Sequence, residues 1–370
     1  MTEFRECQLR DIVCFGNGKA RPKAEGNIPV YGGNGILEYA DQFNYDGETI
    51  IIGRVGAYCG SVFYENRPIW ISDNALAAKP KGSNSTKYLY YLLKLSDLNQ
   101  HAEGSSHPLI TQTLLNSVEV MYCEDVIIQK AIAEVLSSLD DKIDLLTRQN
   151  KTLEDLAQTY FRKWFVEDAS EEWEVARLGD ILESIESGSR PKGGIDPELV
   201  NGVPSIGAES INGLGVYDFS KTKYVTRDFF NNMRRGVVKS HDVLVYKDGA
   251  YVGRKGMFGN DFPFAEFAVN EHVFILRSNE KAGQIFLYFL LQEEELAQLN
   301  SNSAQPGLNQ QAMKAYEIVL PPKKLINDFE TFAEPLIDKI FENAKQMRTL
   351  RKLRDTLLPK LISGEVRVKQ

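Results

Sequence analysis

The chain is poor in the residue types from which metal sites and disulfide frameworks are built. Its 370 residues include 4 cysteines and 4 histidines. The cysteines are widely spaced and form no CxxC pair, so we expect reduced, mostly buried thiols rather than a zinc ribbon or a disulfide scaffold. The histidines have no metal-ligand partners at short spacing, and we therefore expect no metal site. The cysteines are Cys7, Cys14, Cys59 and Cys123.

Catalytic and membrane signals are also missing. The sequence has no GxxxxGK[ST] phosphate loop and no serine in a nucleophile-elbow context. Residues 15–18 (FGNG) are a faint echo of a methyltransferase cofactor loop, but no Asn-Pro-Pro-aromatic sequence accompanies them. No apolar run approaches the roughly 20 residues of a membrane span, and the first ten residues do not form a signal peptide. We expect a non-catalytic, cytoplasmic protein that does not associate with membranes.

The charge balance is mildly acidic. The formal net charge is −8, with 43 Lys and Arg against 51 Asp and Glu. This excludes a uniformly basic surface, but a local basic cleft is still possible on an acidic protein. A hydrophobic content of 43% and a length of 370 residues are typical of a soluble globular protein with two or three domains.

One long amphipathic helix is predicted in the middle of the chain, over residues 125–166. Neither proline nor glycine interrupts it, and at 1.5 Å per residue it would be roughly 60 Å long. Such a helix is longer than a small domain needs and is typical of a spacer. Its apolar residues recur at steps of three and four, close to a heptad repeat: Ile132, Val135, Leu139, Ile143, Leu146, Leu153, Leu156, Tyr160 and Trp164.

The sequence contains an internal repeat of two copies. Residues 9–12 (LRDI) match residues 178–181 (LGDI), and residues 21–23 (RPK) match residues 190–192, both 169 residues apart. The offset grows to 198 because loops are longer in the second copy. The order of matches is kept throughout: residues 56–60 with 249–253, Asn74 with Asn270, residues 88–93 with 286–291, and Pro108, Gln112 and Glu119 with Pro306, Gln310 and Glu317.

The repeat includes the long helix. Residues 141–143 (DKI) match residues 338–340, which predicts a second helix over residues 324–363 that Pro359 should kink or end. We therefore predict a first globular domain at 1–123, a spacer helix at 124–168, a second globular domain at 169–322 and a second helix at 323–370. Each domain is predicted to be α+β, with buried strands at 49–52 and 119–121 or at 243–246 and 317–320, and a short buried helix at 87–94 or 284–292.

Connectivity predicts that the two helices pair antiparallel about a pseudo-two-fold axis. The first helix leaves the first domain and reaches the second, and an equivalent second helix would return. Their charges suit such a pair, because residues 124–168 carry 10 acids and 6 bases whereas residues 323–370 carry 7 acids and 11 bases. The expected result is an intramolecular antiparallel coiled coil between two domains. The alternative is two separate amphipathic helices, each packed on its own domain.

This layout resembles the specificity (S) subunit of type I restriction–modification systems. Residues 173–181 (WEVARLGDI) open the second unit, and residues 320–322 (LPP) open the second helix. Residues 104–110 (GSSHPLI) and 303–308 (SAQPGL) occupy equivalent places near the end of each unit, and residues 357–368 (LLPKLISGEVRV) end the chain. The resemblance covers essentially the whole chain. One departure is the entry to the first helix, residues 121–124 (MYCE), which lacks the prolines of the second entry.

The resemblance implies a non-catalytic subunit that binds double-stranded DNA. Each domain would be a target recognition domain for one half of a bipartite, asymmetric site, and the helix pair would set the spacing and dock methyltransferase (M) subunits. In that family, S-adenosylmethionine and the adenine-N6 chemistry belong to the M subunits, and ATP and Mg belong to partner subunits as well. A restriction (R) subunit joins the full complex. No cofactor is implied for this chain.

The candidate DNA-contacting cations lie beside glycines and aromatic residues, where the backbone can approach a ligand. A cation that leaves a strand into a glycine turn can reach a phosphate or a guanine edge. An ordinary surface charge beside a turn is the alternative, and recurrence in both copies places DNA contact level with it. In this group are Arg54 and Tyr58 after one strand, Lys247, Tyr251, Arg254 and Lys255 after the matching strand, and Lys19, Arg21, Lys23, Arg190 and Lys192 in polar loops that could equally mark a shared fold joint.

A second group of candidates carries amide or imidazole side chains that can read base edges. The alternative here is a helix N-cap with a buried polar network, which the pattern slightly favours. Residues that read bases should differ between the copies if the half-sites differ. The group consists of His107 and Gln112 in the first copy and Gln305, Asn309 and Gln311 in the second. Asn74 and Asn270, which match each other in the repeat, are further candidates for DNA contact.

Two other functions are compatible with parts of this pattern. A coiled-coil scaffold whose duplicated domains bind protein partners fits the acidic charge and the spacer helix. A standalone enzyme with a site spanning the two domains is the third possibility, and the missing motifs weigh against it. Sequence-preferring DNA binding in the presence of an M subunit would separate the first function from the other two.

Overall fold

A computed structural model describes residues 4–104, 108–294, 296 and 307–368. The chain divides into two compact units. The first unit comprises residues 1–143 and 350–370, and the second comprises residues 144–349. Each unit therefore contains one globular α+β part and a portion of both long helices, so the predicted spacer helices do not stand apart from the compact units.

The first unit is built on an antiparallel sheet that runs β2-β8-β5-β6, beside a smaller sheet β4-β3-β7 and the antiparallel pair β1-β9. Its elements before the first long helix are β1 (Phe4–Gln8), α1 (Leu9–Ile12), β2 (Val13–Asn17), β3 (Glu25–Gly32), β4 (Gly35–Ala40), β5 (Glu48–Gly53), β6 (Val62–Asn66), β7 (Trp70–Ile71), β8 (Ala75–Pro80), α2 (Thr86–Leu95), α3 (Gln112–Ser117) and β9 (Glu119–Cys123).

The second unit repeats this arrangement with a sheet β11-β18-β15-β16-β13, a smaller sheet β14-β12-β17 and the pair β10-β19. The long helix α4 (Val126–Arg162) precedes it. Its elements are β10 (Glu174–Arg177), β11 (Leu182–Ser187), β12 (Val203–Ile206), β13 (Gly213–Leu214), β14 (Lys223–Val225), α5 (Arg227–Asn231), β15 (Val243–Tyr246), β16 (Lys255–Met257), β17 (Ala268–Val269), β18 (Val273–Ser278), α6 (Gln284–Glu293), α7 (Gln310–Ala315), β19 (Glu317–Leu320) and the long helix α8 (Lys323–Ile362).

The two strand orders confirm the internal repeat. Strands β2, β8, β5 and β6 correspond to β11, β18, β15 and β16, and the smaller sheets correspond strand for strand. The second copy adds β13 and α5, which lie in its longer connections between strands. The mixed α+β class, the two tandem domains and the two long helices are as the sequence predicted.

The predicted offset of 169 residues between the two copies is too small by one residue after the start of β11. The pairing of β11 with β18 shifts register between Leu182 and Ser184, which marks a β-bulge with one extra residue. After it, the Lys19 N–H donates to the Ile71 carbonyl at 3.0 Å, whereas the Ser189 N–H donates to the Val269 carbonyl at 3.2 Å. Lys19 therefore corresponds to Ser189, and the two Arg-Pro-Lys triplets start one residue apart in structural register.

The hydrophobic core of the first unit joins its sheet to both long helices. Ile50 and Ile52 point from β5 toward α2, while Ile132 and Leu136 on α4 and Leu358 and Leu361 on α8 close the same cluster. All six side chains are at most 7% exposed. Truncating any one of them to alanine should cost about 2–5 kcal/mol, because the cavity would be lined from several elements.

Within each unit the two long helices pack against each other and run antiparallel. In the second unit Asn150 contacts Asn343 while Tyr160, further along α4, stacks against Phe332, which lies earlier on α8. In the first unit Asp140 pairs with Arg354 at 2.6 Å. As residue numbers rise along α4, the residue numbers of their partners fall along α8, so the two helices run antiparallel. The alternative of two unpaired helices is wrong.

The buried face of α4 differs from the predicted stripe toward its C-terminal end. Leu156 and Tyr160 are each 39% exposed, whereas the neighbouring Ala157 and Phe161 are buried. Phe161 turns inward because it packs among the rings of Phe286, Phe289 and Phe329, from α6 and α8. The drift of a 3.6-residue helix against a 3.5-residue heptad moves the buried face by about one residue over this distance.

Helix α8 also corrects the prediction for its end. It is one continuous helix from Lys323 to Ile362 and passes through both Pro335 and Pro359. Each proline removes one backbone N–H bond and disfavours the preceding turn, at a cost of about 3 kcal/mol in an isolated helix. Burial of Leu358, Leu361 and Ile362 against the first unit offsets this cost, so the helix continues for three residues beyond Pro359.

A buried amide layer interrupts the apolar seam of the helix pair in the second unit. Asn343 is 1% exposed, and its Nδ2 donates to Gln149 Oε1 at 3.0 Å and to Asn150 Oδ1 at 2.8 Å. The Asn150 Nδ2 in turn donates to the Ile340 carbonyl at 3.1 Å. A sliding of either helix would leave these amides unsatisfied in an apolar seam, so the layer fixes the register at some cost in stability.

The start of the short buried helix is capped differently in the two copies. In the first unit the Ser85 hydroxyl accepts a hydrogen bond from the Tyr88 N–H at the start of α2. The equivalent α6 begins after Gly283, and there the Glu330 carboxylate of α8 accepts from the Phe286 N–H at 2.5 Å. A Cβ on Gly283 would lie 2.0 Å from the Glu330 carboxyl group, so the glycine and the glutamate require each other.

Glu330 should make the stability of the second unit depend on pH. Burial raises its pKa from 4.5 to about 7, against the opposing effect of the backbone N–H groups. A raised acid pKa means that the folded state binds the proton more tightly, so stability is greatest below about pH 4.5 and falls as the pH rises through 7. We expect Glu330→Gln to remove up to about 3 kcal/mol of this fall, measured by urea unfolding between pH 5 and 8.

The matched control is Glu334→Gln, an exposed position one turn further along α8. It should retain most of the wild-type pH dependence. Parallel stability curves for the wild type and Glu330→Gln would show that this carboxyl group does not titrate in that range.

Candidate nucleic-acid interface

In the first unit, main-chain hydrogen bonds hold three loops together at the end of β5. The Arg54 N–H donates to the Asn74 carbonyl at 3.0 Å, and the Arg54 carbonyl accepts from the Ile110 N–H at 2.9 Å. Val55 forms a bridge with Leu109. The segment after the strand is thus pinned on both sides by backbone groups, and the side chains of these loops are left to the surface. We call residues 54–58, 72–74 and 108–112 the first recognition loops.

The second unit contains the same junction at the end of β15. The Lys247 N–H donates to the His272 carbonyl at 3.0 Å, and the Lys247 carbonyl accepts from the Leu308 N–H at 2.7 Å. Asp248 forms the corresponding bridge with Gly307. Residues 247–251, 270–272 and 307–311 are therefore the second recognition loops. The predicted equivalence of Arg54 with Lys247 and of Tyr58 with Tyr251 agrees with this geometry.

The predicted equivalence of Asn74 with Asn270 is wrong by two residues. Asn74 immediately precedes β8, whereas the residue that immediately precedes β18 is His272. Asn270 instead corresponds to Ser72, and both cap the turn: the Asn270 Oδ1 accepts from the His272 N–H at 3.0 Å, and the Ser72 Oγ lies 3.4 Å from the Asn74 N. The two asparagines were matched because they are identical, but the carbonyl group that accepts the N–H of the cation belongs to Asn74 in the first unit and to His272 in the second.

The first recognition loops present polar groups that lack partners in the described part of the chain. The Arg54 Nε is buried without a hydrogen bond there, and no carboxylate among those residues pairs with its guanidinium group. The Asn74 side chain likewise makes no hydrogen bond to a described residue. Tyr58, on the same loop, is 56% exposed. Unpaired donors beside an exposed ring suit contact with phosphates and base edges.

The second recognition loops are more heavily paired. The Lys247 Nζ lies 5.3 Å from the centre of the Phe274 ring and 3.8 Å from the Asp248 carboxylate. The Arg254 guanidinium stacks on the Tyr251 ring at 3.9 Å and donates to Asn212 Oδ1 at 3.1 Å. Stacking presents the guanidinium as a flat, oriented donor, so this surface is ordered before any ligand arrives.

Acidic residues accompany the cations of the second unit. His272 lies between two carboxylates, with Nδ1 at 3.0 Å from Asp248 Oδ2 and Nε2 at 3.5 Å from Glu271 Oε1. The Arg190 Nη1 is 3.1 Å from the same Glu271 oxygen. Asp248 orients the His272 ring and Glu271 orients the Arg190 side chain, and these carboxylates lower the net positive charge of the loops.

A cleft of about 580 Å³ in the second unit brings several of these side chains together. Arg190, Asn270 and His272 line it, together with Lys221 and Lys223, which the sequence did not single out. Neither lysine belongs to a motif, and only the adjacent β14 places them there. Burial of the Glu209 carboxyl group opposes its ionisation, but the hydrogen bond from Lys223, a backbone N–H and the charges of Lys223 and Lys221 together lower the pKa of Glu209.

Several predicted contact residues are occupied within the fold. The Lys255 Nζ donates to the Glu294 carbonyl at 2.8 Å, and burial lowers the pKa of this amine. The Asn309 Oδ1 accepts from the Ala312 N–H and caps α7, which is the structural alternative foreseen for that position. Gln112 donates to Asn17 Oδ1 at 2.8 Å, and Arg21 pairs with Glu38 at 3.4 Å.

Of the remaining candidates, Gln311 lies in the second recognition loops, and Lys19 forms a bridge with Ser72 of the first recognition loops. Lys23 and Lys192 lie outside both sets of loops. Lys19, Lys23, Lys192 and Gln311 are exposed. His107 and Gln305 lie outside the residues that the structure describes. The predicted set therefore divides into a group at the two loop junctions and a group elsewhere, and whether any of them contacts DNA stays a prediction.

Within residues 4–104, 108–294, 296 and 307–368, no group of three or more His, Cys, Asp and Glu side chains is arranged to hold a metal ion. No helix in these ranges has the length and apolar character needed to cross a membrane.

The duplicated α+β unit thus presents cations, amides and aromatic rings on loops that the same main-chain bonds hold in both copies. Residues 1–155 and 170–328 match the type I restriction modification DNA specificity domain. The chain belongs to this family.

Relatives in sequence and in structure agree with that assignment. The specificity subunit of the type I restriction enzyme MjaIX from Methanocaldococcus jannaschii is 30% identical over 346 residues, covering 84% of this chain and 76% of the relative. The MjaVIII specificity subunit of the same organism is 26% identical over 342 residues, covering 85% and 78%. The crystal structure of a type I S subunit from M. genitalium superposes with a TM-score of 0.65 at 18% identity, over 97% of this chain and 96% of that one, which shows the shared fold.

Charge removal at the two loop junctions should weaken DNA binding unequally. Arg54→Ala and Lys247→Ala should each lower the affinity for duplex DNA and reduce the slope of log K against log salt by about one, because one phosphate contact is lost. The loss should be larger for Arg54, since Asp248 already screens Lys247. Titration of the full chain with labelled duplex at several salt concentrations measures both quantities.

Lys255→Met is the matched control for these variants. Its amine is bonded to the Glu294 carbonyl, so we expect an unchanged salt slope. Unaltered affinity and slope in both Arg54→Ala and Lys247→Ala would remove the two residues from the interface.

Proposed function

We propose that this chain is the non-catalytic DNA-recognition subunit of a type I restriction–modification complex, and that each unit reads one half of a bipartite, asymmetric DNA site. The observation that carries the proposal is the repeated loop junction. The same main-chain bonds hold the recognition loops in both units, while the side chains on those loops differ. A constant backbone with variable side chains is what two related readers of different sequences require.

The differences between the loops support an asymmetric site. The first loops offer Arg54 and Asn74 without acidic partners in the described residues, whereas the second offer Lys247 and His272 beside Asp248. Two readers with different hydrogen-bonding groups at equivalent places select different bases. A palindromic site would instead require identical groups in both copies.

The long helices are proposed to set the spacing between the half-sites. Helices α4 and α8 are uninterrupted over 37 and 40 residues. The amide layer around Asn343 opposes sliding, so the length of the pair is defined by its sequence. A rigid spacer of defined length converts the number of helical residues into a number of base pairs.

The helix pair is also proposed to dock the methyltransferase subunits. In the second unit α4 leaves Leu145, Leu156 and Tyr160 exposed at 39–50%. Apolar side chains on an otherwise charged helix are a frequent component of protein interfaces. The partners would supply S-adenosylmethionine chemistry, and restriction subunits would supply ATP- and Mg-dependent steps. A scaffold that binds only proteins is the competing function, and the acidic net charge of −8 favours it.

The test is DNA binding by the complex of this chain with an M subunit. A gel shift with a pool of random duplexes, followed by sequencing of the bound fraction, should recover a bipartite motif with a fixed spacer. Swapping residues 1–123 for another recognition domain should change one half of that motif. Binding without sequence preference would favour the scaffold, and a change in both halves would contradict modular reading.

Lengthening the helix pair should lengthen the spacer. Inserting seven residues in α4 between Asp144 and Leu145, and seven in α8 between Thr349 and Leu350, keeps the heptad phase in both helices. It adds about 10 Å, or on the order of three base pairs. The bound motif should keep its two halves and gain that spacing, as read by the same selection.

Insertion into α4 alone is the control. It cannot satisfy both the Asp140–Arg354 pair and the Asn150–Asn343 contact, so stability should fall. If the double-insertion variant folds well and its DNA motif keeps the original spacer length, the helices do not set the spacing between the half-sites.

A further inference from the structure

We infer that the residue immediately before β8 and β18 selects a base in each half-site, through Asn74 in the first unit and His272 in the second. The inference rests on the proposed function and deepens it. It replaces Asn270, to which the sequence had pointed, with His272. The two residues were not matched by sequence, and only the strand register reveals that they share one backbone position.

The equivalence rests on strand pairing and on the loop junction. Gly53 pairs with Ala75, and Tyr246 pairs with Val273, so the residues before Ala75 and Val273 occupy the same place beside the next strand. Both carbonyl groups accept the N–H of the cation that follows the neighbouring strand. Since only backbone atoms make this bond, the side chain at the position is free to vary without loss of the fold.

The Asn74 amide is poised for an external partner. It is half-buried and makes no hydrogen bond to a described residue, so both its oxygen and its amino group are available to a ligand. Its carbonyl oxygen and amino group together match the N6 and N7 edge of adenine in the major groove. The Arg54 N–H donates to the Asn74 carbonyl, so the Arg54 side chain lies on the adjoining loop. There it is available to contact a phosphate or a second base.

The His272 imidazole offers a different edge at the same place. Asp248 lies at hydrogen-bond distance from Nδ1 and orients the ring, while Nε2 lies 3.5 Å from Glu271, too far for a good hydrogen bond. Glu271 is already paired with Arg190. The Nε2 edge is therefore available as a single hydrogen-bonding group, in contrast to the donor–acceptor pair of Asn74. One backbone position thus carries two different readers.

Asn270 and Ser72 serve a different purpose. Each lies two residues earlier, and the side-chain oxygen faces the N–H of the reader residue. They shape the turn from which the reader projects. The sequence match between Asn74 and Asn270 therefore aligned the proposed base-selecting residue of one unit with the turn-capping residue of the other.

The experiment is a reciprocal exchange in the full chain bound to an M subunit, with Asn74→His and His272→Asn made separately. Selection from duplexes randomised over both half-sites measures the preference at each position. Asn74→His should alter the preference at one position of one half-site by roughly tenfold or more, and His272→Asn should do so in the other half-site. His272→Asn should also gain preference for adenine.

A matched control is Asn66→His, the same substitution on an exposed residue at the opposite end of the β5–β6 ladder. It should leave the motif unchanged. Thermal melting of each variant checks that the fold is intact.

The outcomes separate the two proposals. If the wild-type complex shows no sequence preference, the proposed function fails. If the wild type selects a bipartite motif, and both exchanged variants fold and select that same motif, the function stands and the inference is overturned. A change of the same position by Asn66→His would also overturn it, since the effect would not depend on the site.

Discussion

The proposed recognition surface of each unit depends on one main-chain hydrogen bond, which joins the residue after a buried strand to the residue before the neighbouring strand. In the first unit it joins Arg54 to Asn74, and in the second it joins Lys247 to His272. Backbone groups make the bond, so it survives every substitution except proline at the donor. The loops keep their shape while their side chains change, and a new specificity does not require a new fold.

The cores of the two units have diverged by paired changes rather than by relaxed packing. Ser85 caps α2 in the first unit, whereas Gly283 and Glu330 together cap α6 in the second. The two changes are linked, because a side chain on Gly283 would displace the Glu330 carboxyl group and a glycine without Glu330 would leave the helix start uncapped. Duplication supplies a second copy, and close packing then obliges its substitutions to come in pairs.

The features that could be predicted from the sequence are those that depend on hydrophobic periodicity and on the order of the repeated segments. The helix pair, the repeated strands and the junctions at Arg54 and Lys247 follow from apolar spacing and from matches kept in sequence. Prediction from the sequence failed where one residue is inserted without a change in pattern, as at the bulge between Leu182 and Ser184. It failed again where a role moved between residue types, as from asparagine to histidine before β18. Lys221 and Lys223 could not be found, since only the folded position of β14 places them in the cleft.

The acidic partners of the second unit bear on how a protein of net charge −8 can bind a polyanion selectively. Attraction between cations and phosphates does not depend on sequence, so unpaired cations raise affinity for every duplex equally. Glu271 beside Arg190, Glu209 beside Lys223 and Asp248 beside Lys247 each reduce that general attraction. On the proposed function, a duplex would bind well only where base contacts compensate, because a wrong sequence would leave these carboxylates near phosphates without any compensating base contact. The sparing use of unpaired charge, exemplified by Arg54, thus favours discrimination between sequences over affinity for DNA in general.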